Sequence, residues 1–235
     1  MSEVLKVGVS GMLMQVLTLV QSAIVYRSAA EWGGPEWLVL FGAAMRVQAF
    51  AFIPLWGMSN GFQPVAGTNF GAERYDRVRK ATAAFCLGAT ALALVFYVPV
   101  MLAPDAALSL FITDPAIVAA GAADFRVYFS TYVVMGVMVM GITLFQAVGQ
   151  GGKAAILALA RPVLLFVPLV LIVPRLFGLG VHGVWLACAL TDVVLTVAAA
   201  ITMVAVLRRM GGRADAARSA EACGAPAERE EPARA

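Results

Sequence analysis

Charge is what this sequence has least of. Only 13% of its 235 residues are Asp, Glu, Lys or Arg, and histidine occurs once, as His182. A water-soluble domain of this length cannot face solvent with so little polarity, which excludes that class. Cysteine is nearly as scarce. Cys86, Cys188 and Cys223 stand far apart, two of them inside apolar runs. That excludes a disulfide framework, and His182 cannot complete a zinc site with them. The chain has no GxSxG turn, no Walker-type phosphate loop, no HExxH helix and no paired acids within an apolar run. No catalytic residue and no metal or organic cofactor is expected, and no nucleic-acid partner. Without a nucleotide-binding domain the chain is not a complete ATP-driven exporter. No cleavable signal peptide is expected either, because Lys6 leads straight into a full-length apolar segment.

What the sequence does have is apolar length. Hydrophobic residues make up 61% of it and mean hydropathy is +0.86. Crossing about 30 Å of hydrocarbon takes roughly 20 helical residues. Six segments qualify: Val7–Ala29, Trp37–Met58, Ala81–Leu102, Phe125–Gln146, Ala154–Pro174 and Gly183–Leu207. The fold class is therefore all-α, a polytopic membrane protein whose residues 1–207 form one six-helix unit. The connection PDAALSLFITDPAIVAAGAAD between the third and fourth segments is mildly apolar and should hold short helical pieces at the surface.

Basic residues are distributed unevenly. The second connection carries Arg74, Arg77, Arg79 and Lys80, the fourth Lys153 with Arg161 nearby, and the tail begins Arg208, Arg209 and Arg213. EWGGPEW and the third connection carry none, and the fifth only Arg175. Lysine and arginine stay on the cytoplasmic side, so both termini are expected there, in a cell membrane. Residues 208–235 contain no aromatic or branched aliphatic residue that could form a core, and read as a disordered cytoplasmic tail.

Charges at membrane depth usually face a cavity or a partner. Arg46 and Asp192 each stand roughly 14 Å from the outer end of their segments at about 1.5 Å per residue. Equal depth allows an ion pair that locks two helices, or a transport role for Asp192. Arg161, nearer the cytoplasmic end, reads as an anchor that snorkels. Gln15, Gln21, Gln48, Gln63, Gln146 and Gln150 suit interhelical hydrogen bonds or a wet path. The run VVMGVMVMG, with Met135, suits either an adaptable ligand surface or ordinary packing. Tyr128 and Tyr132 are candidates to line a cavity beside it, with Gln15, or to pack in a core.

The stretch IPLWGMSNGFQPVAGTNFGAERYDRVRKA, from Ile53 to Ala81, places polar and helix-breaking residues where apolar ones are expected. Gly57 with Gly61, and Gly67 with Gly71, are spaced for close backbone approach. Pro54 and Pro64 each remove a backbone donor, and Gln63 and Asn69 are placed to satisfy freed groups. The second helix is expected to continue as a bent, polar-faced extension to about Asn69. It would act as a gate or hinge at the cytoplasmic mouth, with Gly61 among its residues.

FGAAMRVQAFAFIPLWGMSNGFQPVAGTNFGAERYDRVRKA resembles the multidrug and toxic compound extrusion (MATE) transporters. The residues that carry the likeness are Arg46, Pro54, Gly57, Gly61, Gln63, Pro64, Gly67, Asn69, Gly71, Ala72 and Arg77. A second match, FQAVGQGGKAAILALARPVLLFVPLVLIVPRLFGLGVHGVWLACALTD, carries Gly149, Lys153, Arg161, Pro168, Pro174, Gly178, Gly183, Val184 and Trp185 in step. The resemblance covers nearly all of residues 1–207. It implies one lobe of a twelve-helix fold, the second of two related by pseudo-two-fold symmetry. It also implies antiport of amphipathic or cationic compounds against H⁺ or Na⁺, with small-molecule substrates, membrane lipid, and a missing first lobe or a second chain as partners. A fragment is the favoured reading. One branch of the family carries a glutamate in the first helix of this lobe; here Gln15 stands at about that place, which is closer to the DNA-damage-inducible (DinF-like) branch. Two other readings stay open: a lipid-linked oligosaccharide flippase of the same superfamily, and a non-transporting membrane subunit or scaffold.

Overall fold

The computed structural model describes residues 2–150, 165–176 and 178–222, and their side chains except at 2–15, 17, 176 and 213–222. Eight helices occur among these residues. They are α1 (Ser2–Gly33), α2 (Pro35–Gly71), α3 (Tyr75–Leu102), α4 (Pro104–Ser109), α5 (Pro115–Phe129), α6 (Tyr132–Ala147), α7 (Val167–Leu176) and α8 (Val181–Ala222). No strand occurs among the described residues.

Local chemistry sets the boundaries. Gly34 separates α1 from α2 at φ 78°, a conformation that side chains resist, and Pro35 opens α2 where its missing N–H costs nothing. The ends of α2 and α6 are built alike. At α2, Glu73 N–H donates to Phe70 O (3.0 Å) and Arg74 N–H to Asn69 O (2.9 Å). At α6, Gly149 N–H donates to Gln146 O (3.3 Å) and Gln150 N–H to Phe145 O (2.9 Å). Both are Schellman closures. Asp114 caps α5 by accepting from Ala116 N–H at 2.9 Å.

Four stretches among the described residues are long and apolar enough to cross a membrane: Pro35–Gly71, Tyr75–Leu102, Pro115–Ala147 and Val181–Gly212. They contain the second, third, fourth and sixth expected segments. The first lies within α1. Of the fifth, residues 154–164 lie outside the described residues, as do Lys153 and Arg161, and α7 covers its end.

Two boundaries differ from the sequence reading. The fourth segment begins at Pro115 rather than Phe125, interrupted only by a turn at Ser130–Thr131. Its first turns are not a surface piece: Val118, Gly121 and Asp124 are buried. The Ala/Gly-rich composition that hid them as a span is what lets them pack, with Leu40 of α2 filling the space over Gly121. The last helix runs to Ala222 rather than stopping at Leu207, so residues 208–222 are helical and not disordered. Their alanine, arginine and glutamate are strong helix formers even without a core to bury. Residues 223–235, including Cys223, lie outside the described residues.

The helices pack around α6, which touches α2, α3 and α8. In the most apolar window of α5–α6, 61% of residues are buried, against 17% for α3, which makes α6 the centre and α3 an outer helix. Met135, Met138 and Met140 are buried, so these three side chains of the run pack into the interior, while Val134 beside them is exposed. Gly136 brings the α6 backbone within reach of Ala89 on α3, and Gly141 brings it to Ala199 on α8.

Candidate functional site

The polar tract of α2 is one continuous helix with two faces. Ser59, Phe62 and Ala66 are buried, while Asn60, Gly61, Gln63, Pro64 and Thr68 are exposed; Pro54 and Asn69 are half-buried. Ser59 Oγ and Thr143 Oγ1 share a 2.7 Å hydrogen bond that fastens the buried face to α6. Phe62 packs against Phe85 of α3 at 5.1 Å between ring centroids. The free face combines polar side chains with Pro64, and it continues the exposed apolar row of Phe50, Ile53 and Trp56.

The expected satisfaction of freed carbonyls takes another form. Asn69 Nδ2 donates to Val65 O (2.8 Å) and Thr68 Oγ1 to Pro64 O (2.8 Å). Neither reaches Asn60 O, the carbonyl that loses its donor at Pro64, because both side chains bond back along their own turn. Gln63 is exposed and makes no hydrogen bond among the described residues. The glycine steps also differ. A Cβ at Gly67 would meet Ala147 O at 3.4 Å, a true close approach. One at Gly61 would meet only Phe85 at 3.8 Å, and at Gly57 or Gly71 nothing within 4 Å.

Arg46 and Asp192 do not meet. Arg46 is exposed on α2, Asp192 is 1% exposed inside the bundle, and no ion pair joins them among the described residues. Equal depth holds along the chain, but the two side chains leave their helices on different faces. Depth alone carries no azimuth.

The aromatic candidates form a buried polar core. Tyr128 donates its hydroxyl to Gln48 Oε1, and Gln48 Nε2 reaches Met135 Sδ at 3.7 Å. Tyr132 donates to Ala51 O at 2.5 Å. Trp185 of α8 stacks on Phe41 with centroids 3.8 Å apart and meets Tyr128 edge-on at 5.7 Å. Tyr128, Tyr132 and Met135 are thus enclosed between α2, α5, α6 and α8 rather than open on a wall. The Gln15 side chain lies outside the described residues.

Sequence reasoning missed a clasp at one end of this core. His182 Nδ1 lies 2.8 and 2.9 Å from the two carboxylate oxygens of Asp124, and Trp37 sets its ring edge-on to the imidazole at 5.4 Å. Three helices, α2, α5 and α8, meet there. Asp124 was unreadable as a partner because it fell in a supposed surface connection.

These features define a membrane-embedded helical bundle with a packed interior that holds buried polar groups, and with one polar, proline-bearing face exposed on α2. The MatE family model matches residues 11–172, and the chain belongs to that family. The multidrug export protein MepA of Staphylococcus haemolyticus is 27% identical over 179 residues, which is 76% of this chain and 39% of that protein. MATE transporters of the MOP superfamily solved in an outward-facing and an inward-facing conformation share its fold. Their TM-scores are 0.80 and 0.83 at 21% and 20% identity, covering 88% and 90% of this chain but 47% and 49% of theirs. The chain spans about two fifths of the curated relatives it matches and about half of the solved transporters.

Proposed function

We propose that this chain is the second lobe of a secondary active multidrug exporter of the inner or plasma membrane. It would exchange amphipathic or cationic compounds against H⁺ or Na⁺, with the other half of the cavity supplied by a first lobe or a second chain. The observation that carries this reading is the extent of the likeness: it takes in nearly nine tenths of this chain and about half of each transporter. The near-equal fit to outward-facing and inward-facing structures supports a lobe that moves as one body. The exposed face of α2 from Asn60 to Thr68, with Gly61, Gln63 and Pro64, is the natural sliding surface for that movement, and Asn69 and Pro54 brace it. Both termini and the Arg74–Lys80 connection are assigned to the cytoplasm. Gln15 in place of an acid favours the DinF-like branch and places the main coupling group in the other lobe. The buried Asp192 is then the second titratable candidate, and Arg46 faces the partner.

The experiment joins two levels. The DNA upstream of the Met1 codon is read for an in-frame or adjacent six-helix partner. The chain, alone and with that partner, is then expressed in a drug-sensitive host. The pair should raise tolerance to ethidium, a protonophore or sodium collapse should abolish it, and Asp192→Asn should lower efflux severalfold at normal expression. Efflux that persists with both gradients collapsed would sink antiport. Export of a lipid-linked sugar, or no transport with any partner, would replace it by the flippase or scaffold reading.

A further inference from the structure

A groove of about 500 Å³ opens where the start of α3 meets α8, lined by Asp76, Arg79, Lys80, Ala83, Val204, Leu207 and Arg208. Three of those residues are cations, all exposed, and one is an acid. Among the described residues the three cations make no ion pair, so their charge is directed into the groove and the surrounding solvent. The Arg79 guanidinium lies against α8 at Gly211. A Cβ on Gly211 would come within 3.0 Å of its Nη1 and 3.4 Å of its Cζ, so the bare backbone of α8 is what leaves room for the guanidinium. On the side toward the membrane the cations give way to apolar surface. Ala83 and Val204 line the groove, and Leu87 and Ile201, each one turn deeper on the same stripes of α3 and α8, are 73% and 64% exposed.

We propose that this groove binds the headgroup of an anionic phospholipid, with an acyl chain lying along Ala83–Leu87 and Ile201–Val204. A phosphate ester matches the fork of Arg79 together with Lys80 and Arg208. The apolar trough continuing from it selects a lipid over a free phosphate, since a soluble anion gains nothing from Leu87 or Ile201. The site ties α3, an outer helix, to the long last helix through a ligand that only the membrane supplies.

The full chain is reconstituted in phosphatidylcholine vesicles containing trace spin-labelled phosphatidylglycerol or spin-labelled phosphatidylcholine, and the motionally restricted fraction of each label is measured. Phosphatidylglycerol should be preferred, each cation contributing a factor of about five. The variant Arg79→Gln/Lys80→Gln/Arg208→Gln should bring the preference close to parity, and Arg208→Gln alone, at an exposed position, should lower it about fivefold. Arg74→Gln/Arg77→Gln, in the same connection but outside the groove, should leave the preference within twofold. Retention of the preference in the triple and single variants, or an equal loss in the Arg74/Arg77 variant, overturns the site in favour of diffuse surface charge. Displacement of phosphatidylglycerol by inorganic phosphate or glycerol 3-phosphate beyond a chloride control of matched ionic strength overturns the lipid assignment in favour of a free-phosphate site.

Discussion

The hydroxyl of Tyr132 on α6 donates to the backbone carbonyl of Ala51 on α2 at 2.5 Å, and the ring behind it stacks on Phe129 at 4.8 Å. Ala51 O sits one residue past Phe50 O, the carbonyl that Pro54 leaves without its helical donor. The bond therefore ties α6 to α2 where α2 is weakest. Ala51 O keeps its own helical partner, Leu55 N–H, so losing the tyrosine hydroxyl orphans nothing.

That argument separates two substitutions at one position. Tyr132→Phe should cost about 1 kcal/mol, the net worth of one hydrogen bond with no unsatisfied group left behind. Tyr132→Ala should cost about 3–5 kcal/mol, because a fully buried aromatic leaves a cavity that the surrounding helices close only in part. Thermal unfolding in detergent checks both; equal losses would mean that the hydroxyl, and not the ring, does the work.

The two Schellman ends give a matched pair. Glu73 holds φ 57° where Gly149 holds φ 74° in the same role. A side chain in the left-handed region costs roughly 1–2 kcal/mol. Glu73→Gly should therefore stabilise the fold by about 1 kcal/mol after part of the gain is lost to the freer unfolded chain. Gly149→Ala, with open space around the new methyl, should destabilise by about 1 kcal/mol through backbone strain alone. A rise in unfolding temperature for the first and a fall for the second are expected; the opposite order would contradict the assigned closures.

Glycines in the membrane helices are not equivalent. At Gly136 an added Cβ would lie 3.3 Å from the carbonyl carbon and Cβ of Ala89, and α3 would have to move away. Gly136→Ala should cost about 1–3 kcal/mol as overpacking. At Gly57 nothing lies within 4 Å, so Gly57→Ala should gain about 0.5–1 kcal/mol from helix propensity. Unfolding temperatures that rank these two the other way would mean that α3 and α6 are spaced differently in the membrane.

Those contrasts mark how far the sequence could be read. Composition and apolar run length are additive along the chain, so the all-α class and the order of the spans were legible without coordinates. The α2 tract from Ile53 was legible as unusual because polar residues at depth are costly. Direction around a helix was not legible. Arg46 and Asp192 share a depth and not a face; Gly57 and Gly67 share a motif and not a neighbour; Tyr132 and Met135 are enclosed by helices far away in sequence. Each outcome depends on helix rotation, which is set by packing among all the helices at once. The start of α5 failed for a related reason: PAIVAAGAAD is weakly apolar because its small residues serve close packing, and hydropathy undercounts such surfaces.

The His182–Asp124 clasp is the last relationship to test. It joins α8 to α5 across 58 residues, with the histidine side chain 58% exposed and the aspartate 12%. Partial exposure screens the charge component, so the hydrogen bond itself should carry most of the coupling. A double-mutant cycle with His182→Ala and Asp124→Ala should give a coupling of about 1 kcal/mol. The single Asp124→Ala change should cost more than His182→Ala, because Asp124 lies in the packed interior of α5 and its removal also leaves a gap there. Asp124→Asn should keep part of the coupling, since its amide can still pair with Nδ1. Trp37→Ala should weaken the coupling without abolishing it, because the indole edge fixes the imidazole plane but makes none of the hydrogen bonds. Unfolding free energies from detergent denaturation give each value, and a cycle that closes to zero would mean that the two side chains are neighbours without being partners.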